Sequence, residues 1–479
     1  MDKIFSVKLN KARCAADIGD GSERGEYVPQ DYILRRLGRP HRAVSLMYCY
    51  YPLDKEFPAR ISEVPNMRKA RFQWDYPYDD YFPYLGGLSG NTDGEPFTSM
   101  RDIRRHGQDV ILTLTIDPFV SDEHLAAIGD DLRPFGRLFL RINHEATGNW
   151  FEFNKRATYQ QVADFYCRAI HIIKEHAPNV LTILCIGGVE DLNAEEMVKE
   201  KEFAQAVRET DIWSVDKYIS LHWGFPFDIA ERGGNSHQRT SVKDIFEMIK
   251  RSYERFMYLN GGVPKPMLVS ELNSDGDVSG AYGQAEDIQR FYDMIEAENA
   301  DWLSGVTFYQ FRDRGRLGLE IQDVNHRDTG VPQPVMDVYR KIIHRPRFMP
   351  TMVKGDEVTL PVKLRWGSSE DAEGIAIPLH FDGEPHFCEL QFEDDSNLMI
   401  EANGQWFYKS PEAKIIDLMP AFFGKKINAP TDMELRIFAP PAGGENDLSL
   451  PDGLYNYYCT LEKLPKIRIR TAPTEPRPD

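Results

Sequence analysis

The sequence predicts a (β/α)8 TIM barrel followed by a smaller C-terminal β-sandwich domain, and three observations carry that prediction. Short apolar runs alternate with amphipathic helical stretches between residues 43 and 345, the pattern of a parallel sheet covered by helices. No G-x-G-x-x-G follows the first of these runs, so an open doubly wound sheet would lack its phosphate-binding turn. From about residue 352 the character changes to alternating strands separated by Gly, Pro and Asp turns, as in VTLPVKLRW, GIAIPLHF, HFCELQF, LMIEAN and MELRIF, which suits a sandwich.

Taken in order, residues 1–42 are polar and irregular and are expected as an N-terminal extension capping the barrel. The barrel is expected over 43–345. Its first strand is read at 43–50 (AVSLMYCY), a weaker second near 70–76, a third at 110–116 (VILTLTI) and a fourth at 138–142. Residues 158–176 have helical spacing, closed by Ala177 and Pro178. Strands five to eight are expected at 180–186, 218–221, 266–271 and 306–311, with a closing helix over 335–343. The segment RPRFMPTM reads as a linker, 352–470 as an accessory sandwich, and RTAPTEPRPD as a disordered tail.

Charge and composition narrow the partners. Lys plus Arg number 57 against 75 Asp plus Glu, a formal charge of -18, which repels phosphate backbones and anionic lipid; no nucleic-acid or membrane partner is expected. No run of about 18 apolar residues occurs, and MDKIFSVKLNKARC lacks a signal-peptide core. The expectation is a cytoplasmic chain, or a secreted or periplasmic one whose leader has been removed. Cysteines 14, 49, 167, 185, 388 and 459 show no metal-ligand spacing, so no metal or other cofactor is expected, and buried free thiols are the simplest reading. The loop LGGLSGNTDGEPF lacks the Lys-Ser/Thr of a phosphate cradle.

The chemistry concentrates at LFLRINHEATGNWF, residues 138–151, where an apolar strand stops at a cluster of polar groups. Strict alternation points Arg141, Asn143 and Glu145 to one side. A carboxylate beside a guanidinium and an amide is an expensive arrangement at a strand end unless it binds something polar. Sites in such barrels lie at the C-terminal ends of the strands, and a second glutamate, Glu271, ends strand seven. Met267, Val269 and Glu271 share a parity, which assigns all three to the barrel axis. Two carboxyls about 5 to 5.5 Å apart would suit retaining glycoside hydrolysis.

Arg141-x-x-His144-Glu145-x-x-Gly148-x-Trp150-Phe151 resembles the acid/base motif of glycoside hydrolase family 26, where R-P-x-H-E-M-N-G-x-W-F is usual. Asn143 replaces an apolar residue there, Ala146-Thr147 replaces M-N, and SELNSDG lacks the Phe-Gly that commonly follows the nucleophile. On strand eight, FYQFRDRG has Gln310 where a tryptophan is common, and this segment is similar to what family 39 shows. The resemblance spans about residues 40 to 345 and implies clan A: a (β/α)8 barrel, with Glu145 as acid/base after strand four and Glu271 as nucleophile after strand seven.

The same resemblance implies that His144 binds a sugar hydroxyl beside the cleaved bond. Arg141 is expected to hold a carboxylate ionised, with Glu271 its natural partner. Trp150, Trp223 and Tyr309 lie just past strand ends, where they contact ligand or serve as core aromatics. His222 is positioned to hydrogen-bond the nucleophile or the sugar, or to serve structure. The expected function is retaining hydrolysis of β-linked glycans, mannan- or glucan-like, with carbohydrate as the partner. The alternatives are a non-catalytic carbohydrate-binding protein on a degenerate barrel and a metal-dependent barrel hydrolase, for which a histidine-rich strand end is missing. Trp366, Trp406 and Phe407 would be the residues of a glycan-binding sandwich, whose expected role is structural.

Overall fold

The computed structural model describes residues 3–20, 27–57, 82–148, 151–187, 194–222, 237–313, 315–323, 325–326, 328–422 and 431–473. Eight parallel strands close into a barrel, numbered one to eight along the chain: Ala15–Gly19, Ala43–Tyr50, Asp109–Ile116, Leu138–Ile142, Val180–Cys185, Ile212–His222, Met267–Ser274 and Leu303–Phe308. The ring closes where strand eight pairs with strand one, Phe308 opposite Ile18.

Strand three shows why these residues fold this way. In DVILTLTI, Val110, Leu112, Leu114 and Ile116 pack in the large core that also holds the helix residues, while Ile111 joins a second cluster. That second cluster consists of strand residues only: Ala43, Ile111, Phe139, Ile183, Ile212 and Leu268, with Leu181 against it. It is an inner layer across the barrel axis to which strands two to seven contribute, so both faces of these strands are dry at that level and the sequence reads as apolar runs. The helix Tyr159–His176 starts at a capping box in which Thr158 and Gln161 satisfy each other's backbone N–H groups. It buries Val162, Phe165, Tyr166, Ile170 and Ile173, and ends ahead of Pro178.

The segment 1–42 corrects its expectation. It is not an irregular cap: Ile4–Asn10 is a strand of the sandwich, Ala15–Gly19 is barrel strand one, and Gln30–Leu37 is a helix. Strand one has only five residues and contains Asp17, buried because Arg42 donates to it through Nε at 2.9 Å; a charged residue in so short a run hides the strand. Residues 43–50 are therefore strand two. The expected strand near 70–76 lies outside the described residues, and the ring is complete without it. Strand six starts at Ile212 rather than 218.

The C-terminal region is a β-sandwich of antiparallel sheets. The larger runs Thr351–Val358, Ile4–Asn10, Asp371–Phe381, Thr431–Phe438, Leu398–Ala402, Gln405–Lys409, with Val362–Ser368 and Tyr457–Leu461 attached. The smaller consists of Ile415–Asp417, Gly383–Gln391 and Lys466–Pro473. Ile375, Ile377, Leu390, Leu398, Ile400 and Leu435 fill a core shared by strands of both sheets. Trp366 and Trp406 are buried with Phe438 and Met399, leaving neither as an exposed platform.

The turn at Ser368–Glu370 plugs the N-terminal end of the barrel. Ser369 Oγ reaches the Arg42 carbonyl at 2.8 Å and Asp109 Oδ2 at 3.1 Å, while Glu370 accepts from Arg137 at 3.2 Å and from the Ala12 N–H at 3.4 Å. Arg42 and Arg137 lie over the Phe139 ring, 5.0 and 5.3 Å from its centroid. At the opposite end the strands terminate in polar residues, Arg141 on strand four and Glu271 on strand seven among them.

Candidate active site

Arg141 is the centre of the C-terminal end of the barrel. It shares parity with Phe139 and faces the axis one layer further along strand four, fully buried. Its Nε donates to Thr113 Oγ1 on strand three at 2.7 Å. Nη1 donates to both oxygens of Asp216 on strand six, at 3.0 and 3.1 Å, and Nη2 to Glu271 Oε1 at 2.7 Å. The second Glu271 oxygen accepts from the Tyr218 hydroxyl at 2.6 Å. A planar fork that serves two carboxylates in fixed directions suits arginine and not lysine.

Glu271 reaches the axis by a different route from the one parity suggests. Met267 and Val269 pack in the helix-side core, and Leu268 belongs to the inner layer, so unbroken alternation would send Glu271 outward. Strand seven carries one extra residue: Val269 pairs with Val215, yet Glu271 pairs with Asp216, the very next residue of strand six. This β-bulge at Ser270 returns Glu271 to the inside. The shared parity of Met267, Val269 and Glu271 is thereby corrected.

Glu145 stands three residues past strand four, half-buried, in a loop shaped by two left-handed residues, Asn143 (φ 46°) and Glu145 itself (φ 50°). Asparagine tolerates this conformation and glutamate does so less readily. Asn143 is a support, not a free ligand group: its Oδ1 accepts from the Ile116 N–H at 2.7 Å and its Nδ2 donates to the Ile116 carbonyl at 3.1 Å. The Ala146 N–H donates to the Cys185 carbonyl at 3.1 Å. Thr147 exchanges hydrogen bonds of 3.0 Å with the Gly187 backbone. The loop is thus tied to the end of strand five.

His144 is buried, its ring 4.7 Å from that of Phe151 and its Nε2 3.9 Å from Glu271 Oε1. Burial, then the Arg141 charge, pushes its pKa well below the usual value, so it is neutral at pH 7. Asp216 is raised to about 7, by burial first and the neighbouring Glu271 charge second, against the pull of Arg141. Burial opposes the Arg141 charge, but Asp216 and Glu271 outweigh it and hold the guanidinium protonated.

Tyr309 follows strand eight and meets Tyr218 edge to face at 5.9 Å. Trp150 and Trp223 lie outside the described residues. The backbone of His222 ends strand six opposite His237, and its side chain is also outside them. Asp216, Tyr218 and Cys185 belong to the site and were missed in the sequence. A strand six expected at 218–221 excludes Asp216; the signal for the longer strand is the two-residue spacing Ile212, Ser214, Asp216, Tyr218.

His144, Asp216 and Glu271 bring possible metal-ligand atoms within 4.8 Å of one another. The Arg141 fork already occupies both Asp216 oxygens and one of Glu271, so a divalent ion there would have to displace a buried cation. A cavity of about 830 Å³ lined by Arg239, Lys243, Asp287 and Arg290 lies to the side and contains none of these groups.

No family model matches the sequence, and no curated protein does. Among solved structures, a glucosidase from Croceicoccus marinus is similar over 91% of this chain and 96% of its own, at 10% identity and a TM-score of 0.47. A GH26 β-mannanase from Bacteroides ovatus is similar over 71% and 90%, at 13% identity and 0.42. A family 51 α-L-arabinofuranosidase from Bifidobacterium longum is similar over 90% and 96%, at 12% identity and 0.45. These are likenesses of shape; the barrel itself is read from the strand pairing above.

Proposed function

We propose that this protein is a retaining glycoside hydrolase acting on β-linked glycans, with Glu271 as nucleophile and Glu145 as acid/base. The observation that carries the reading is the hold on Glu271: both oxygens accept hydrogen bonds, from Arg141 at 2.7 Å and Tyr218 at 2.6 Å, inside a barrel at the end where such folds do their chemistry. Two donors aimed at one carboxylate satisfy both of its oxygens and fix the direction of attack.

In the first step a Glu271 oxygen attacks the anomeric carbon as the glycosidic bond breaks, and the Glu145 proton passes to the leaving oxygen. In the second, Glu145 takes a proton from water, whose oxygen displaces Glu271 and restores the starting configuration. Neutral His144 beside Glu271 offers a hydrogen bond to sugar without competing for the carboxylate charge.

Incubation with mannan, xylan, mixed-linkage glucan and β-1,3-glucan, with products followed by proton NMR from the first minutes, tests the reading. Net retention at the anomeric carbon on at least one polymer or its aryl glycoside is expected. Inversion, or no cleavage across the panel, counts against it.

A further inference from the structure

We propose that Cys185 is a positioning residue of this site: its carbonyl anchors the loop that carries Glu145 and its thiol holds the Asp216–Arg141 pair beside Glu271, and so it governs how the two glutamates stand relative to each other. The proposal rests on the glycosidase reading for its kinetics, but not for its geometry.

Cys185 is the last residue of strand five, shares parity with the inner-layer Ile183, and is 1% exposed. Its Sγ donates to Asp216 Oδ2 at 3.2 Å. Its carbonyl takes the Ala146 N–H, at the residue after Glu145, at 3.1 Å. One residue thus touches both halves of the site: its carbonyl holds the loop of Glu145, its S–H holds Asp216, and through Asp216 it reaches the Arg141 that holds Glu271. Burial, reinforced by Asp216, keeps the thiol protonated, so it acts as a donor and is a poor nucleophile.

The charged groups around this link come from every neighbouring strand. Arg141 and Glu145 face the thiol from strand four and its loop, and Asp216 from strand six. Asp216 in turn faces Glu271 and Arg141, with Lys217 beside it and His144 close by. Among these the thiol is a neutral donor that favours the ionised form of Asp216. Removing it raises the pH at which Asp216 loses its proton. A protonated Asp216 no longer offers Arg141 a charge, and the fork re-aims toward Glu271 alone.

Cys185→Ala and Cys185→Ser, compared with wild type, test this. For Cys185→Ala, kcat is expected to fall about tenfold to a hundredfold, the scale of a small misplacement of catalytic groups. KM is expected to stay within about twofold, a change confined to the transition state. The acid limb of kcat/KM should move to higher pH. Serine keeps a donor and an acceptor and should recover most of kcat and return the limb. Wild-type kcat and pH limb in Cys185→Ala, or serine no better than alanine, would overturn the proposal. If the wild-type protein cleaves no glycan, the glycosidase reading fails alone, and the link is decided by infrared spectroscopy. The S–H stretching band of Cys185 should then move to higher frequency in Asp216→Asn, and an unmoved band sinks the assignment.

Discussion

Arg141 divides its donors between two carboxylates, and the different surroundings of those carboxylates give the site distinguishable responses. Asp216 titrates near 7 in the folded state against 3.8 as its ordinary value. Its raised pKa means that the folded protein holds the proton more tightly than the unfolded chain, so this group's contribution to stability is present at low pH and is lost as pH rises from about 4 through about 7. His144, lowered by burial, works the other way and loses stability as pH falls below its ordinary value of 6.5. Asp216→Asn isolates the first effect. In urea unfolding, the stability of the variant relative to wild type is expected to rise between pH 4 and 7, because wild type alone carries the Asp216 loss, and equal slopes would count against a buried, raised Asp216. The two glutamates separate by role in the same spirit. Glu145→Ala should retain turnover on substrates with good leaving groups, and azide should rescue it to the β-glycosyl azide. Glu271→Ala should lose turnover on every substrate and give the α-azide instead. The reverse pattern would overturn the assignment.

At the scale of elements, strand seven is the decisive one. Without the extra residue at Ser270, Glu271 would follow Met267 and Val269 into the helix-side core. A one-residue shift exchanges the two faces of a strand, so a variant lacking Ser270 is expected to keep the circular dichroism of the barrel and to lose turnover by orders of magnitude. Wild-type turnover in that variant would mean the bulge does not aim Glu271. The bulge also marks what was legible in the sequence. Apolar runs such as VILTLTI and LFLRI announce themselves because both faces are dry, and the motif from Arg141 to Phe151 stands out by its polar residues. A bulge leaves no residue signature, and strand one conceals itself behind Asp17, whose partner Arg42 stands 25 residues away. Asp216 was lost in the same way: a charged residue inside a strand reads as loop until its guanidinium partner, on another strand, is known.

At the scale of the whole molecule, the barrel and sandwich are joined by more than a linker. Ser369 and Glu370 close the barrel's N-terminal end, and Ile4–Asn10 lies between two sandwich strands. Glu370→Ala removes one charge-assisted and one backbone hydrogen bond, and is expected to destabilise the protein by about 1–3 kcal/mol. That loss should appear as a lower Tm of a single thermal transition, with kcat unchanged. A split into two transitions in the wild-type protein would show that the two parts unfold independently.

The pairing of Ile4–Asn10 with Asp371–Phe381 also sets a schedule for biosynthesis. The ribosome releases the first strand roughly 360 residues before its partner, about 20 to 70 seconds at ordinary elongation speeds. Throughout that interval the nascent chain carries a strand with both edges open, Val7 and Leu9 among its residues. Barrel strand one waits almost as long for strand eight. Native closure of the barrel and of the sandwich therefore waits on strands made roughly 290 and 360 residues later, and a chaperone that shields Ile4–Gly19 would act on the segment that has longest to wait.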